Sequence, residues 1–155
     1  MRFQINPDDF KAAKIVKPGW YATLVKLVNT EPNSKKDGFN DVIDAENAEK
    51  DSEYFGVPVK HWLSEKGARM PGGAIAFFKA FNPGVDEAKM AEFDPHDYKG
   101  RYIYAKWGTS RGKAGDEPPR NYIEDWAPLP SKYAALKNVN AAVDSVSAAV
   151  EGFGT

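Results

Sequence analysis

The chain has 155 residues, no cysteine and a formal net charge of −1, from 21 basic and 22 acidic residues. This length suits one domain with its own hydrophobic core, and the absence of cysteine excludes disulfides, thiolate nucleophiles and thiolate-bound metals. The near-zero net charge does not by itself indicate a nucleic-acid-binding protein, whereas the aromatic fraction of 13% calls for either a strand-rich core or a binding surface.

The predicted elements are five short strands and two helices. In chain order they are strands over residues 20–28, 39–46 and 54–63, a helix over 74–81, strands over 101–107 and 120–126, and a helix over 131–150. The strands are runs of aromatic and β-branched residues bounded by turn-forming residues. In the first strand, strict alternation places Leu27 on the same face as Val25, and Pro58 places the third strand at an edge or a bulge. This order predicts a mostly β fold.

The composition changes after Pro130, where alanine and valine become frequent. The apolar residues of this segment are spaced by three or four, as on one face of a helix: Leu136, Val139, Val143, Val146 and Val150. Valine is a modest helix former, so this helix depends on packing. We predict a β domain over residues 1–130 and a helical tail over 131–155, whose apolar stripe packs either on its own domain or on a second copy in a homo-oligomer.

Little in the sequence indicates catalysis. His61 lies on the apolar face of the third strand, where a packed histidine is expected. Asp94, His96 and Asp97 could face a metal, but no second histidine or distant carboxylate cluster accompanies them at ligand spacing. The acidic run over residues 41–53 fits a charged surface better than a two-metal nuclease. We therefore predict no enzymatic activity, no cofactor and no metal site.

Charge is segregated along the chain. Residues 99–120 contain six basic and two acidic residues, whereas residues 31–53 contain three basic and eight acidic ones. Because alternate residues of a strand share a face, Tyr102, Tyr104 and Lys106 point the same way and form a solvent-exposed face of aromatic and basic groups. Single-stranded nucleic acids are bound by such a combination. Tyrosines that only cap the core of a small barrel fit these residues equally well.

The order of segments resembles the single-stranded-DNA-binding proteins of tailed bacteriophages, an OB-type family often described only as a phage domain of unknown function. The resemblance spans residues 15–130. Its motifs are Pro18-Gly19-x-Tyr21, Ser34-Lys35-Lys36-x-Gly38, a strand containing Gly56, a Phe77-Phe78-Lys79-Ala80-Phe81 helix, Tyr98-Lys99-Gly100-Arg101, and Asn121-Tyr122-Ile123-x-Asp125-Trp126-Ala127-Pro128.

This resemblance implies a five-stranded Greek-key OB-type barrel with a helix between strands three and four. It also implies largely sequence-independent binding of single-stranded DNA in phage DNA replication or recombination, without catalysis. The N-terminal sequence lacks the apolar core of a secretory signal, and no stretch approaches the ~18 to 20 apolar residues of a membrane span. We therefore expect a cytoplasmic protein, in the host cell if a phage encodes it.

The predicted DNA-binding residues are aromatic side chains that would stack on bases and basic side chains that would contact phosphates. The candidate stacking residues are Phe39, Trp62, Tyr102 and Tyr104. The candidate phosphate contacts are Lys35, Lys36, Lys60, Lys106, Arg111, Lys113 and Arg120. The alternative is a non-catalytic phage structural or assembly protein that binds protein partners through the aromatic face and oligomerises through the C-terminal helix.

Overall fold

The structure is a computed structural model that describes residues 14–32, 38–64, 72–110 and 119–153. Within these ranges the chain forms five strands and two α-helices, which confirms the predicted mostly β architecture. The elements are β1 (Gly19–Pro32), β2 (Phe39–Asn47), β3 (Pro58–Ser64), α1 (Gly72–Phe81), β4 (Tyr102–Ser110), β5 (Arg120–Ala127) and α2 (Ala134–Phe153).

All five strands differ from their predicted bounds by at least one residue, and the largest changes are at β1, β3 and β4. For β1 and β3 the reasons are local. β1 continues to Pro32, because its second half pairs with β2 up to the pair Pro32 and Phe39. β3 begins only at Pro58, because the preceding residues form turns. There the Val57 N–H donates to the Tyr54 carbonyl over 3.0 Å, and Gly56 has a φ of 83°, which favours glycine.

The five strands form one antiparallel sheet in the order β3-β2-β1-β4-β5. The pairing of β1 with β2 is irregular between Val25 and Leu27. Such an irregularity bends a strand and shifts its alternation by one residue. Val25 and Val28 therefore both face the core, whereas Leu27 is 43% exposed on the other face, so the predicted sharing of a face by Val25 and Leu27 is wrong.

The sheet does not close into a barrel. β3 and β5 are its two edges, and in the described ranges they are not hydrogen-bonded to each other. Their side chains nevertheless meet, since the ring of His61 on β3 packs edge-on against Trp126 on β5 at a centroid distance of 5.3 Å. The start of β5 is covered by the N-terminal segment, because the Asn121 side-chain amide accepts from the Val16 N–H and donates to the Lys14 carbonyl, both over 2.9 Å.

The hydrophobic core lies between the inner face of the sheet and α1. Phe77 of α1 is fully buried, with ring contacts to Trp126 at 4.9 Å and Tyr98 at 5.8 Å. Trp107 of β4 is also fully buried, and its indole N–H donates to the Thr23 hydroxyl over 3.0 Å. The predicted core face of β4 is confirmed, because its residues are almost completely buried: Ile103, Ala105 and Trp107.

The first helix ends where the sequence predicts. Asn82 follows its last residue and donates its side-chain N–H to the Phe78 carbonyl over 3.0 Å. Pro83 has no N–H to continue the helix, and Gly84 adopts a φ of 79°. In the part of the chain that is described, no helix combines the length and hydropathy needed to span a membrane.

Candidate nucleic-acid interface

The face of the sheet opposite α1, here called the outer face, carries most of the predicted binding residues. Strand register determines which residues share it. Leu27, Asp44 and Lys60 form one row across β1, β2 and β3, and Asn29, Val42 and Trp62 form the next. On β4 the same face carries three of the predicted residues: Tyr102, Tyr104 and Lys106. The outer face therefore has a part over β1–β3 and a part over β4.

The part over β1–β3 is an open groove of about 720 Å³, here called the outer groove. Its floor and walls combine apolar and basic side chains from four strands. Its lining includes Lys26, Leu27, Asp44, Lys60, Trp62 and Arg120. Three predicted residues, Lys60, Trp62 and Arg120, are thus brought to one groove although they lie up to 60 positions apart in the sequence.

Trp62 lines this groove and is hydrogen-bonded to a residue two strands away. Its indole N–H donates to the Glu31 carboxylate over 3.4 Å, and Glu31 is on β1, two strands away. Because adjacent strands are roughly 4.8 Å apart, the two side chains together extend over β2 to make this contact. Val42, which lies on β2 between them, points to the outer face but is only 4% exposed. Trp62 itself is 54% exposed, so about half of its surface remains open to solvent.

The basic residues of the groove are balanced by carboxylates. Lys60 lies 3.9 Å from Asp44, and Lys26 lies 3.5 Å from Glu46. Both lysines are more than half exposed, and ion pairs of this kind contribute little, about 0 to 1 kcal/mol. An anionic ligand can therefore replace either carboxylate at small cost.

Four further predicted phosphate contacts lie in the two chain connections that precede β2 and β5. Lys35 and Lys36 belong to the β1–β2 connection, and Arg111 and Lys113 belong to the β4–β5 connection. All four lie outside the described residues.

The part of the outer face over β4 is covered by the chain's own tail. Tyr104 stacks on Trp20 with the ring centroids 5.3 Å apart and 17° between the planes, and it contacts Tyr133 of the tail at 5.7 Å. Tyr102 and Tyr104 belong to an apolar cluster that also includes Leu136 of α2. Because the tail packs against them, Tyr102 and Tyr104 are half-buried rather than fully solvent-exposed, and their role as stacking residues stays a prediction.

Two polar anchors hold the tail in place. The Asn140 side chain accepts from the Tyr102 N–H over 2.7 Å and donates to the Tyr102 carbonyl over 2.8 Å. Glu49 accepts from the Ala22 N–H over 2.7 Å and from the Tyr133 hydroxyl. Burial and the nearby Glu49 carboxylate raise the pKa of the Tyr133 phenol, which keeps it a hydrogen-bond donor.

The apolar stripe of the tail is divided between these contacts and solvent. Leu136 packs on the sheet, Val143 is half-buried, and Val139 is 42% exposed. The side chains of Val146 and Val150 lie outside what the structure describes.

The remaining predicted residues lie away from the outer groove. Lys106 contacts Glu124 at 3.4 Å beside the Trp20–Tyr104 pair, and Glu124 also accepts from the Tyr122 hydroxyl over 2.6 Å. Phe39 is 53% exposed at the start of β2, where the register places it on the same face as Ile43 and not on the outer face with Val42.

A threonine, a histidine and two aspartates meet at the end of β1, which sequence spacing did not indicate. The His96 ring lies 2.8 Å from Asp94 and 3.1 Å from the Thr30 hydroxyl, which donates to Asp41 over 2.6 Å. The backbone N–H of His96 is the main cause of a lowered pKa at Asp94. The Thr30 proton is directed to Asp41, so His96 does not accept it. This arrangement differs from a nucleophile–base pair, in which the base accepts the hydroxyl proton.

Across the four described ranges, no three histidine, aspartate or glutamate side chains lie close enough to hold a metal ion. Comparison with protein-family models finds no match, and comparison with curated proteins finds no similar sequence. The functional assignment of the outer face therefore depends on its geometry.

Proposed function

We propose that the protein binds single-stranded DNA in the outer groove. The observation that carries this proposal is Trp62, which extends over β2 together with Glu31 and leaves about half of its surface open to solvent. A base can stack on that open surface, which contributes about 1 to 3 kcal/mol per base, while the backbone is contacted by cations. Lys60 on the same strand and Arg120 across the groove supply such cations.

The strand order supports the same function. A sheet ordered β3-β2-β1-β4-β5 with a helix between β3 and β4 has the connectivity of an OB fold in which β3 and β5 would close the barrel. OB folds bind oligonucleotides on the face of strands two and three, between the β1–β2 and β4–β5 loops. In this chain that face carries Trp62, and those loops contain the lysines and the arginine that complete the predicted set of phosphate contacts.

The first experiment measures the binding of a labelled oligo-dT by fluorescence anisotropy at low salt. We expect Trp62→Ala to weaken binding by about 5- to 100-fold, because it removes a stacking platform worth about 1 to 3 kcal/mol. Binding should also weaken with increasing salt, because phosphate contacts release counterions.

The matched control is Phe55→Ala. Phe55 is a similarly exposed aromatic residue, at 48%, that lies outside the groove. It should bind oligo-dT like the wild type. Absence of binding at low salt, or equal affinities for Trp62→Ala and Phe55→Ala, would contradict the proposal.

A further inference from the structure

We propose that the outer groove distinguishes between bases at the Trp62 position and prefers guanine there through the carboxylate of Glu31. This inference depends on the proposed binding of single-stranded DNA. Stacking alone would not distinguish between bases, so the contact with Glu31 would add a base preference at this one position.

The position of Glu31 is the basis of this inference. Its carboxylate is held at the edge of the Trp62 indole by the 3.4 Å hydrogen bond from the ring N–H. A base that stacks on the exposed surface of the indole lies parallel to it, so its own edge passes close to that carboxylate. An ionised carboxylate offers about four acceptor sites and no donor, and the indole uses one of them. Glu31 therefore presents free acceptor sites to the edge of the stacked base.

The choice of base follows from the arrangement of donors on the Watson–Crick edge, which proteins read on unpaired bases. Guanine has two adjacent donors there, its ring N–H and its amino group, and these match the two oxygens of a carboxylate. Adenine and cytosine each pair one amino donor with an acceptor nitrogen. Thymine has one ring N–H between two carbonyl oxygens, which a carboxylate repels. Glu31 should therefore favour guanine most and thymine least.

Glu31 also has an opposite effect on the DNA backbone. As an exposed carboxylate beside the groove it repels phosphates, whichever base is bound. Removing it should thus have two separate effects: binding of all-thymine DNA should become equal or stronger, while the advantage of guanine should disappear. A residue with only a structural role would not produce this crossed pattern.

The test compares three octanucleotides that cannot form quadruplexes: dT8, dT8 with one central guanine, and dT8 with one central hypoxanthine, which lacks the amino group. For the wild type we expect the guanine oligonucleotide to bind about 5-fold more tightly than dT8, with hypoxanthine in between, since a bidentate contact discriminates between bases but an exposed carboxylate such as Glu31 is also hydrated. Glu31→Ala should bind dT8 at least as tightly as the wild type and all three oligonucleotides about equally.

The matched control is Glu53→Ala, which removes an exposed carboxylate from the turn between β2 and β3 and should keep the guanine preference. Equal binding of dT8 and the guanine oligonucleotide by the wild type would overturn the inference while leaving DNA binding intact. So would a guanine preference that persists in Glu31→Ala. Failure of the wild type to bind any of the three would overturn the proposed function and this inference together.

Discussion

His61 is a titratable residue on the inner face of the sheet, where its ring packs edge-on against Trp126. Burial lowers its pKa to about 4. In the unfolded chain a histidine has a pKa of about 6.5, so the unfolded state binds the proton more readily than the folded state. His61 is therefore a neutral packing residue at physiological pH, and its protonation opposes folding.

The pH dependence of stability tests this environment. Because the folded-state pKa lies below the unfolded one, stability is complete above about pH 6.5 and is lost as the pH falls towards 4, by up to about 3 kcal/mol. We expect His61→Leu to remove this part of the acid dependence in urea unfolding curves recorded between pH 7 and 4.

The control for that measurement is Val59→Ala, which removes buried apolar atoms from the same strand and leaves every titratable group in place. Its unfolding free energy should depend on pH between 6.5 and 4 as that of the wild type does. If the unfolding free energy of His61→Leu keeps the full pH dependence of the wild type, another group binds the proton.

At the scale of single elements, α2 depends on its contacts with the sheet more than on its own sequence. Asn140 hydrogen-bonds both backbone groups of Tyr102. β5 does not pair with β4 at this residue, because the pairing of the two strands ends at Tyr104 and Ala127. Without Asn140, the N–H and the carbonyl of Tyr102 lose their partner. Leu136 and Tyr133 supply the apolar part of the same contact.

We expect Asn140→Ala to destabilise the docked tail by about 1 to 2 kcal/mol, since two hydrogen bonds are lost and each contributes about 1 kcal/mol net. Hydrogen exchange should then become faster at the Tyr102 amide and over residues 134–143. Asn138→Ala provides a control on the same helix, because Asn138 is exposed. Equal exchange rates in the two variants would argue against the Asn140 anchor.

These elements also show how far the sequence allows prediction. Alternation along β4 predicts its core face, because burial of every second residue is a local pattern. What covers the other face depends on residues far away in the chain, since Tyr133 meets Glu49 across 84 positions and Asn140 meets Tyr102 across 38. The outer groove was only partly predictable for a similar reason: the irregularity after Val25 and the extension of β1 to Glu31 follow from pairing with β2.

At the scale of the whole molecule, the described part of the tail leaves Val139 of the apolar stripe available for self-association. Leu136 packs within the chain, whereas Val139 on the same helix is 42% exposed. A homo-oligomer through the apolar stripe stays a prediction. Because Leu136 already packs within the chain, the contact between copies would use the other residues of the stripe, such as Val139.

Light scattering coupled to size exclusion tests this prediction. We expect a mass that increases with concentration and that Val139→Glu lowers towards the monomer, because a charge would be buried in the contact. Asn138→Glu introduces the same charge one position away and should behave like the wild type. A monomeric mass at every concentration would exclude the oligomer.

The paired hydrogen bonds of Asn140 and Asn121 have a consequence beyond folding of the chain. An asparagine side chain offers a donor group and an acceptor group, as a peptide unit does. Each of these two asparagines therefore hydrogen-bonds to its segment as one residue of a neighbouring strand would. Exposed strand edges are templates on which other chains add and aggregate. At Tyr102 the amide of Asn140 occupies both groups that an incoming strand would use. Loss of that side chain should therefore increase the tendency of the protein to form fibrillar aggregates, even under conditions where the rest of the fold persists.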